Sequence, residues 1–345
     1  MTLVWVDGFE VGSTSVGLIT ERYDPVGTFG TAAGRTGSGS SIAFTTSGTS
    51  GRLRPQLNPT ITSSAWRVGF GVYFDAAGDS PILIFKTAGV EQCSLHYIRT
   101  DDDGGHFQLK RGVDVLATMD VDLPARTWYY LELAVQVSQT VGQMILRVDQ
   151  VPELRYSGDT QNGGGAAAVD QLEMIFVNGS GGQWRIDDLV IQAGSLSSTD
   201  FFGVLTTQEL RPAAVGADSE WGVMGGIDPV AAVADDDSDD ATLYVEPTGA
   251  GQTQLYALDQ LDREVITGAV AGAMVATVRR SSNGLNAAHV NVLSDPRHAS
   301  ELTFGGAADA GTSWLDWPGV FGTNAEGHPL EIDDIDESEV GVRSA

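Results

Sequence analysis

Five histidines, one cysteine and two runs of aspartate are the residues of this chain best suited to chemistry. His96 and His106 fall on adjacent expected strands, near enough to meet, but two imidazoles without a third ligand do not make a metal site. The other reading is a histidine hydrogen-bonded at a strand edge. His289, His298 and His328 stand apart from them. Cys93 belongs to no redox motif and to no cysteine–histidine motif, which makes it a small apolar core residue. Gly34-Arg-Thr-Gly-Ser-Gly39 is glycine-rich but lacks the lysine and the following helix of a phosphate-cradling loop. Asp101-Asp102-Asp103 and Asp235–Asp240 are rich in oxygen ligands; a charge run is ordinarily a solvated loop, and loosely held K⁺ or Na⁺ is the alternative. No nucleophile elbow is present.

Composition narrows the chemistry further. The 345 residues carry 46 acids against 19 bases, a formal charge of −27, and only Lys86 and Lys110 are lysine. Phosphate contacts need clustered basic residues, so no nucleic acid is expected as a partner, and an anionic membrane surface would repel the chain. A single cysteine excludes a disulfide framework and a cysteine-rich zinc site. Hydrophobic content of 42% is that of a packed protein. Abundant aspartate with scarce lysine fits work in strong brine, where repulsion between carboxylates is screened within a few Å, and fits equally an acidic surface encoded by a GC-rich genome. Residues 226–345 hold 21 acids and five arginines, so over half of the net charge sits on about a third of the chain. The N-terminus shows neither the basic nor the apolar region of a signal peptide, no stretch approaches eighteen apolar residues, and no heptad or fixed repeat is found. The expectation is a compact protein made in the cytoplasm, with no membrane insertion.

The elements that must position these residues read as strands. Trp66, Val68, Phe70, Val72 and Phe74 alternate with Arg67, Gly69, Gly71 and Tyr73. Leu131, Leu133, Val135 and Val137 alternate with Glu132, Ala134 and Gln136. Met144, Leu146 and Val148 follow the same period, as do Leu172, Met174 and Phe176. A period of two gives each strand one apolar face. Further strands are expected at 2–6, 41–46, 81–87, 94–99, 106–110, 113–119 and 184–192. Turns are expected at Ala77-Gly-Asp79, Asp103-Gly-Gly105, Lys110-Arg-Gly112, Ser157-Gly-Asp159 and Asn178-Gly-Ser-Gly-Gly182. Short strands with glycine-rich turns indicate an all-β sandwich. A boundary falls near 195–217, after which shorter strands are expected at 242–246, 254–257, 288–292, 301–304 and 339–343, with a paired-strand region at 265–279.

The order of elements in the first two hundred residues resembles the laminin-G/concanavalin-A-like jelly roll. An opening strand ends in Val6-Asp-Gly-Phe-Glu10. Then come Ile82–Phe85, Ser94–Ile98, Gly105–Leu109, Thr127-Trp-Tyr-Tyr-Leu-Glu-Leu133, Ile145-Leu-Arg-Val-Asp149 (with Gln150 in place of the family's glycine) and the closing Trp184-Arg-Ile-Asp-Asp-Leu-Val-Ile191. The C-terminal part, from Trp221 through Asp240–Val245 and Gln254–Leu261 to Val340–Arg343, is similar to a module of tailed-virus particle proteins. The resemblance implies a jelly-roll sandwich over 1–196, a linker at 197–217, and a smaller Ig-like β-sandwich over 218–345. It also implies a structural calcium or other cation held by Asp7, Glu10, Asp187 and Asp188, unless those acids only cap turns. Sugar binding is implied on exposed aromatics, foremost Tyr97, Trp128 and Tyr130, with Tyr73, Tyr129 and Trp184 beside them. Glycosidases of this fold carry E-x-D-x-x-E on one strand; here Asp120 and Asp122 flank Val121 in a turn, and no glutamate pair matches. The resemblance therefore implies a non-enzymatic structural protein on the exterior of a tailed-virus particle. Its role would be capsid decoration (a turret) or a short tail appendage, as a trimer or pentamer contacting other virion proteins. The alternative is a host-glycan receptor-binding protein of the tail fibre or baseplate. A glycan-degrading enzyme is the third reading.

Overall fold

A computed structural model describes residues 2–9, 22–37, 39–44, 50–57, 61–101, 103–163, 166–196, 201–208, 210–226, 228–233, 244–250 and 252–260. Beyond these it describes 273–275, 278–279, 289–295, 300–304, 315–316, 319–321, 330, 335 and 338–344. The chain divides into two compact units, Met1–Thr207 and Gln208–Ala345. Both are all-β.

The first unit contains β1 (Thr2–Asp7), β2 (Phe29–Ala33), β3 (Ser40–Phe44), β4 (Ser50–Leu53), β5 (Ala65–Ala77), β6 (Ser80–Thr87) and β7 (Val90–Arg99). Then follow β8 (Gly104–Arg111), β9 (Asp114–Thr118), β10 (Leu123–Pro124), β11 (Trp128–Gln136), β12 (Gly142–Val148), β13 (Val151–Gly158) and β14 (Gln171–Ala193). All pairings are antiparallel, and the main path runs β10-β8-β7-β6-β14-β5-β11-β12-β13. Two layers share β14. Its first half pairs β6 and β4, whereas its second half pairs β5, β3 and β1. Asn178-Gly-Ser-Gly-Gly182, expected as a turn, instead lies within this one strand, at a register shift between Asn178 and Gln183 in the pairing with β5. Glycines suit such a place because a strand passing from one layer to the other must bend there.

The period-two runs face one another across the layers. Trp66, Val68, Phe70, Val72 and Phe74 of β5 and Leu131, Leu133 and Val135 of β11 are fully buried, as are Phe85, Leu95, Phe107 and Leu109 opposite them. The Phe74 ring lies 4.5 Å from Tyr97, and Tyr97 lies 5.4 Å from Trp184 edge-on, so aromatic contacts join the layers. Burying each such side chain contributes about 1.5–3 kcal/mol.

A bulge in β14 decides which acids reach the outer face. The register with β5 shifts between Asp187 and Val190, and Asp188 has φ 52°, a left-handed value costly for a residue other than glycine. Ile186 faces the core before the bulge, and Leu189 and Ile191 face it afterwards. Asp187 and Asp188 are both taken by partners on the far side.

In the second unit, Pro212–Ser219, Thr253–Leu258, Glu339–Ser344, His289–Asp295 and Ser300–Phe304 form, in that order, a five-stranded antiparallel sheet. Two-stranded pairs form from Gly222–Met224 with Tyr244–Glu246, Ala273–Val275 with Gly319–Phe321, and Val278–Arg279 with Leu315–Asp316. Asp235–Asp240 and most of 265–279 lie outside the described residues. The stretch expected as a linker is structured where it is described: 201–207 belongs to the first unit, and 212–219 is a strand. Among the described residues no helix is long and apolar enough to cross a membrane.

Candidate functional site

The outer face of the β1–β3/β5/β11–β13 layer carries the residues that alternate with the core runs. At one end of it three side chains stand in a row on three adjacent strands. Tyr73 of β5 pairs with Trp128 of β11 on one side and with Arg185 of β14 on the other. The Tyr73 and Trp128 rings lie 5.6 Å apart and tilted by 51°. The Arg185 guanidinium sits over the Tyr73 ring at 4.7 Å, a cation–π contact. All three are half-buried. Arg185 donates from Nε (3.0 Å) and Nη2 (2.8 Å) to Gln183 Oε1, while Arg126 Nε bonds Asp75 Oδ1 beside them at 2.8 Å. Pairing of β11 with β12 begins only at Leu131. Among the described residues, the side of Trp128 away from Tyr73 therefore has no adjoining strand.

The middle of the same face is covered. The segment Phe201–Thr207 crosses it as a strap held by polar contacts. Phe202 N–H and Gly203 N–H donate to Glu132 Oε1 at 2.6 and 3.2 Å. The Thr207 N–H and hydroxyl donate to Asp188 Oδ1 at 2.6 and 2.7 Å. Arg35 donates to Asp188 Oδ2 and, from Nη2, to the Leu205 carbonyl. Arg147 stacks on Phe201 at 3.7 Å and Arg67 on Phe202 at 5.2 Å. Two glycines of β5 make the room: a Cβ on Gly69 would lie 2.5 Å from the Tyr130 hydroxyl, and one on Gly71 would lie 2.8 Å from Arg35 Cδ.

Beneath the strap Glu132 is fully buried. Burial raises its carboxyl pKa above the usual range, opposed by the Phe202 and Gly203 donors and by Arg147 and Arg67. Glu132 Oε2 has no hydrogen-bond partner among the described residues. Burial, and then the charges of Glu132 and Asp188, push the Tyr130 phenol well up, so it stays protonated.

The expected site residues fall out differently from their grouping in sequence. Trp128 is the one of the three foremost aromatics that reaches the surface. Tyr97 is a core residue, 1% exposed between Phe74, Phe107 and Trp184, because its position on β7 points inward. Tyr130 is on the outer face but lies under the strap with Arg35 over its ring at 5.3 Å, so neither is open to sugar. Tyr129 and Trp184 are likewise buried in the core.

Of the calcium set, the three described acids are each held by protein donors. Asp7 accepts from Phe9 N–H and the Tyr23 hydroxyl, each at 2.8 Å, and lies 3.5 Å from Arg22. Asp187 accepts from Arg35 N–H at 2.7 Å and Asp188 N–H at 2.8 Å, and Asp188 is held as above. Protein donors occupy these oxygens, and Glu10 lies outside the described residues. Among the described residues no three histidine, cysteine, aspartate or glutamate side chains cluster to hold a metal.

His96 and His106 take separate partners. His96 Nε2 is 3.1 Å from Ser94 Oγ, which donates to Glu91, and burial, then Lys110, lowers its pKa to about 4. His106 Nδ1 meets Asp122 Oδ1 at 2.9 Å. Asp101 Oδ1 caps its own turn through Asp103 N–H; Asp102 lies outside the described residues. Tyr73 was legible from its alternation. Arg185 and Gln183 were not singled out, because only strand pairing places them beside it.

No family model matches the chain, and no curated protein matches it. Solved structures share its layered β architecture. A carbohydrate esterase from Shiga toxin-encoding bacteriophage phi24B has TM-score 0.39 at 14% identity, over 55% of this chain and 100% of that one. A galectin-like-fold protein from Bacillus subtilis has TM-score 0.38 at 10% identity, over 55% and 96%. The carbohydrate recognition domain of Emp47p has TM-score 0.37 at 9% identity, over 52% and 93%. Likeness at this level describes the lectin- and galectin-like β-sandwich and nothing finer. One expectation has no counterpart among these structures. The structures matched include carbohydrate-active enzymes and a carbohydrate recognition domain, and none of these is a capsid or tail protein. The assignment as a non-enzymatic structural protein of a virus exterior, with its turret and tail-fibre roles, does not stand.

Proposed function

We propose that the first unit is a concanavalin-A-like glycan-binding module, with its binding surface at the Trp128–Tyr73–Arg185 end of the outer face. The observation that carries this reading is the half-buried aromatic pair at the edge of the face, held in place by a cation on the neighbouring strand. Aromatic rings with a polar tip suit a ligand that is apolar on its ring faces and polar at its rim, and a sugar ring is such a ligand. Arg185 and Gln183 supply hydrogen-bond groups at the edge of the platform. The strap fills the middle of the face, which limits the ligand to one or two sugar units entering from the end rather than a long chain laid across the sheet.

The test is a glycan array with the full chain, followed by calorimetry on the ligands found. Trp128→Ala is expected to weaken binding about tenfold or more, the scale of an aromatic anchor; because the ring is partly buried against Tyr73, a thermal melt checks that the variant is folded at the assay temperature. Binding unchanged in Trp128→Ala would reject this surface.

A further inference from the structure

Among the described residues the basic side chains divide into those with a carboxylate beside them and those without. Arg22, Arg35, Arg54, Lys86, Arg111 and Arg126 each have a carboxylate within salt-bridge distance. Arg185, like Lys110, Arg147 and Arg155, has none among the described residues; its partners are a neutral amide, Gln183, and the Tyr73 ring. The nearby acid, Asp75, is paired with Arg126 instead. Gln183 thus fixes the orientation of the guanidinium without neutralising it. Two of its five N–H groups are engaged there, leaving the Nη1 edge of the fork to an incoming acceptor. A planar fork of N–H donors matches a carboxylate with two parallel hydrogen bonds. Trp128 and Tyr73 stand in the same row, so one ligand with an apolar ring face and a carboxylate can meet all three side chains.

We infer that this surface selects a sugar bearing a carboxylate, with Arg185 pairing with the carboxylate and the Trp128–Tyr73 pair packing against the ring. The inference rests on the glycan-binding reading and sharpens it to a ligand class: an acidic sugar, from either of two sources, a hexuronate or a sialic-acid-type residue. The long-range field of a −27 chain disfavours anions generally. Selection must therefore come from this local, uncompensated cation, and it persists at physiological salt, where distant charges are screened beyond about 8 Å.

The experiment titrates the full chain with hexuronate trisaccharides and a sialyl trisaccharide, each beside its methyl ester and its neutral counterpart, at 0.15 M salt. At least one acid is expected to bind roughly tenfold tighter than its ester, the scale of a hydrogen-bonded charge pair. The class that does so, uronate or sialate, identifies the source. Arg185→Gln is expected to erase the preference while weak binding to the ester persists. Arg185→Lys, which keeps the charge but not the fork, retains part of it. Equal binding of acid and ester by the native chain, or a preference that survives in Arg185→Gln, overturns the inference and leaves the glycan surface standing. Binding of neutral sugars alone, lost in Trp128→Ala, has the same meaning. No binding of any sugar, acidic, esterified or neutral, removes the surface and the inference together.

Discussion

Arg35 joins three parts of the first unit, and its loss is the most direct test of how the strap is held. Its backbone N–H bonds Asp187, its Nε and Nη2 meet Asp188, and Nη2 also reaches the strap at Leu205 and Thr206. The Arg35 and Asp188 side chains are 14% and 3% exposed. Removing one partner of a buried pair costs about 3–5 kcal/mol because the other charge is left buried. In Arg35→Ala the Asp187 contact survives, being made by the backbone, and Asp188 keeps both Thr207 donors. The expected loss is therefore at the low end, about 3 kcal/mol. Arg35→Lys recovers less than half of it, since an ammonium cannot serve Asp188 through two nitrogens and the strap at once. Urea titration measures the loss, and native-state hydrogen exchange locates it. The amides of Phe202, Gly203 and Thr207 are expected to exchange faster in the variant at urea concentrations where Leu131–Val135 of β11 remain protected. A loss below about 1 kcal/mol, well short of a buried pair, would refute the account. Unchanged protection across 202–207 would refute it equally, by showing that the strap is held without Arg35.

Two further outcomes follow from the covered face and from the tight strand crossings. The raised carboxyl of Glu132 binds its proton more firmly in the folded chain than in the unfolded one. Its contribution is complete below the unfolded value near 4.3 and is lost as pH rises through the folded value; stability profiles of the native chain and Glu132→Gln should diverge over that window, and parallel profiles would show that burial does not perturb this group. Gly105→Ala would place a Cβ 2.2 Å from the Ile98 carbonyl and 2.8 Å from the Tyr97 ring, whereas nothing lies within 4 Å of one on Gly30; thermal melts should show a loss of about 1–3 kcal/mol for the first and little change for Gly30→Ala, and equal melting would contradict the close approach at β8.

How far the sequence disclosed this structure depended on which interaction made each part. Alternation alone marked the core faces of β5, β11 and β12, because a strand with one buried face must repeat every two residues. The same alternation put Arg67, Tyr130 and Glu132 on the opposite face. It could not show that this face is itself covered, since the cover is Phe201–Thr207, seventy residues beyond Glu132 and read as a linker. Glycine was misleading where it does two jobs. In Asn178–Gly182 it bends a continuous strand, and a turn would use the same residues. Tyr97 and Tyr130 carried the right chemistry for sugar but the wrong exposure, and exposure is a property of neighbours. Arg185 was missed because nothing in Trp184-Arg-Ile-Asp sets it apart; cross-strand register with Tyr73 does.

The place of β14 governs when the first unit can fold. It is the last strand of that unit, it contributes to both layers, and its final residues pair with the first of the chain, Ala193 with Thr2 and Leu189 with Asp7. Neither layer is complete until residue 193 has left the ribosome. At about 5–20 residues per second, the stretch from β1 to the end of β14 alone takes some 10–40 s to synthesise. Throughout that interval β1 has no partner and β5 lacks one neighbour, leaving open strand edges of the kind that recruit other chains. Contacts spanning so much sequence also fold slowly once they are available. During the wait the emerged chain carries only the 21 acids and 13 bases of residues 1–193, a net charge of −8, so mutual repulsion between nascent copies is modest; the larger charge of 226–345 arrives only after β14 has closed those edges.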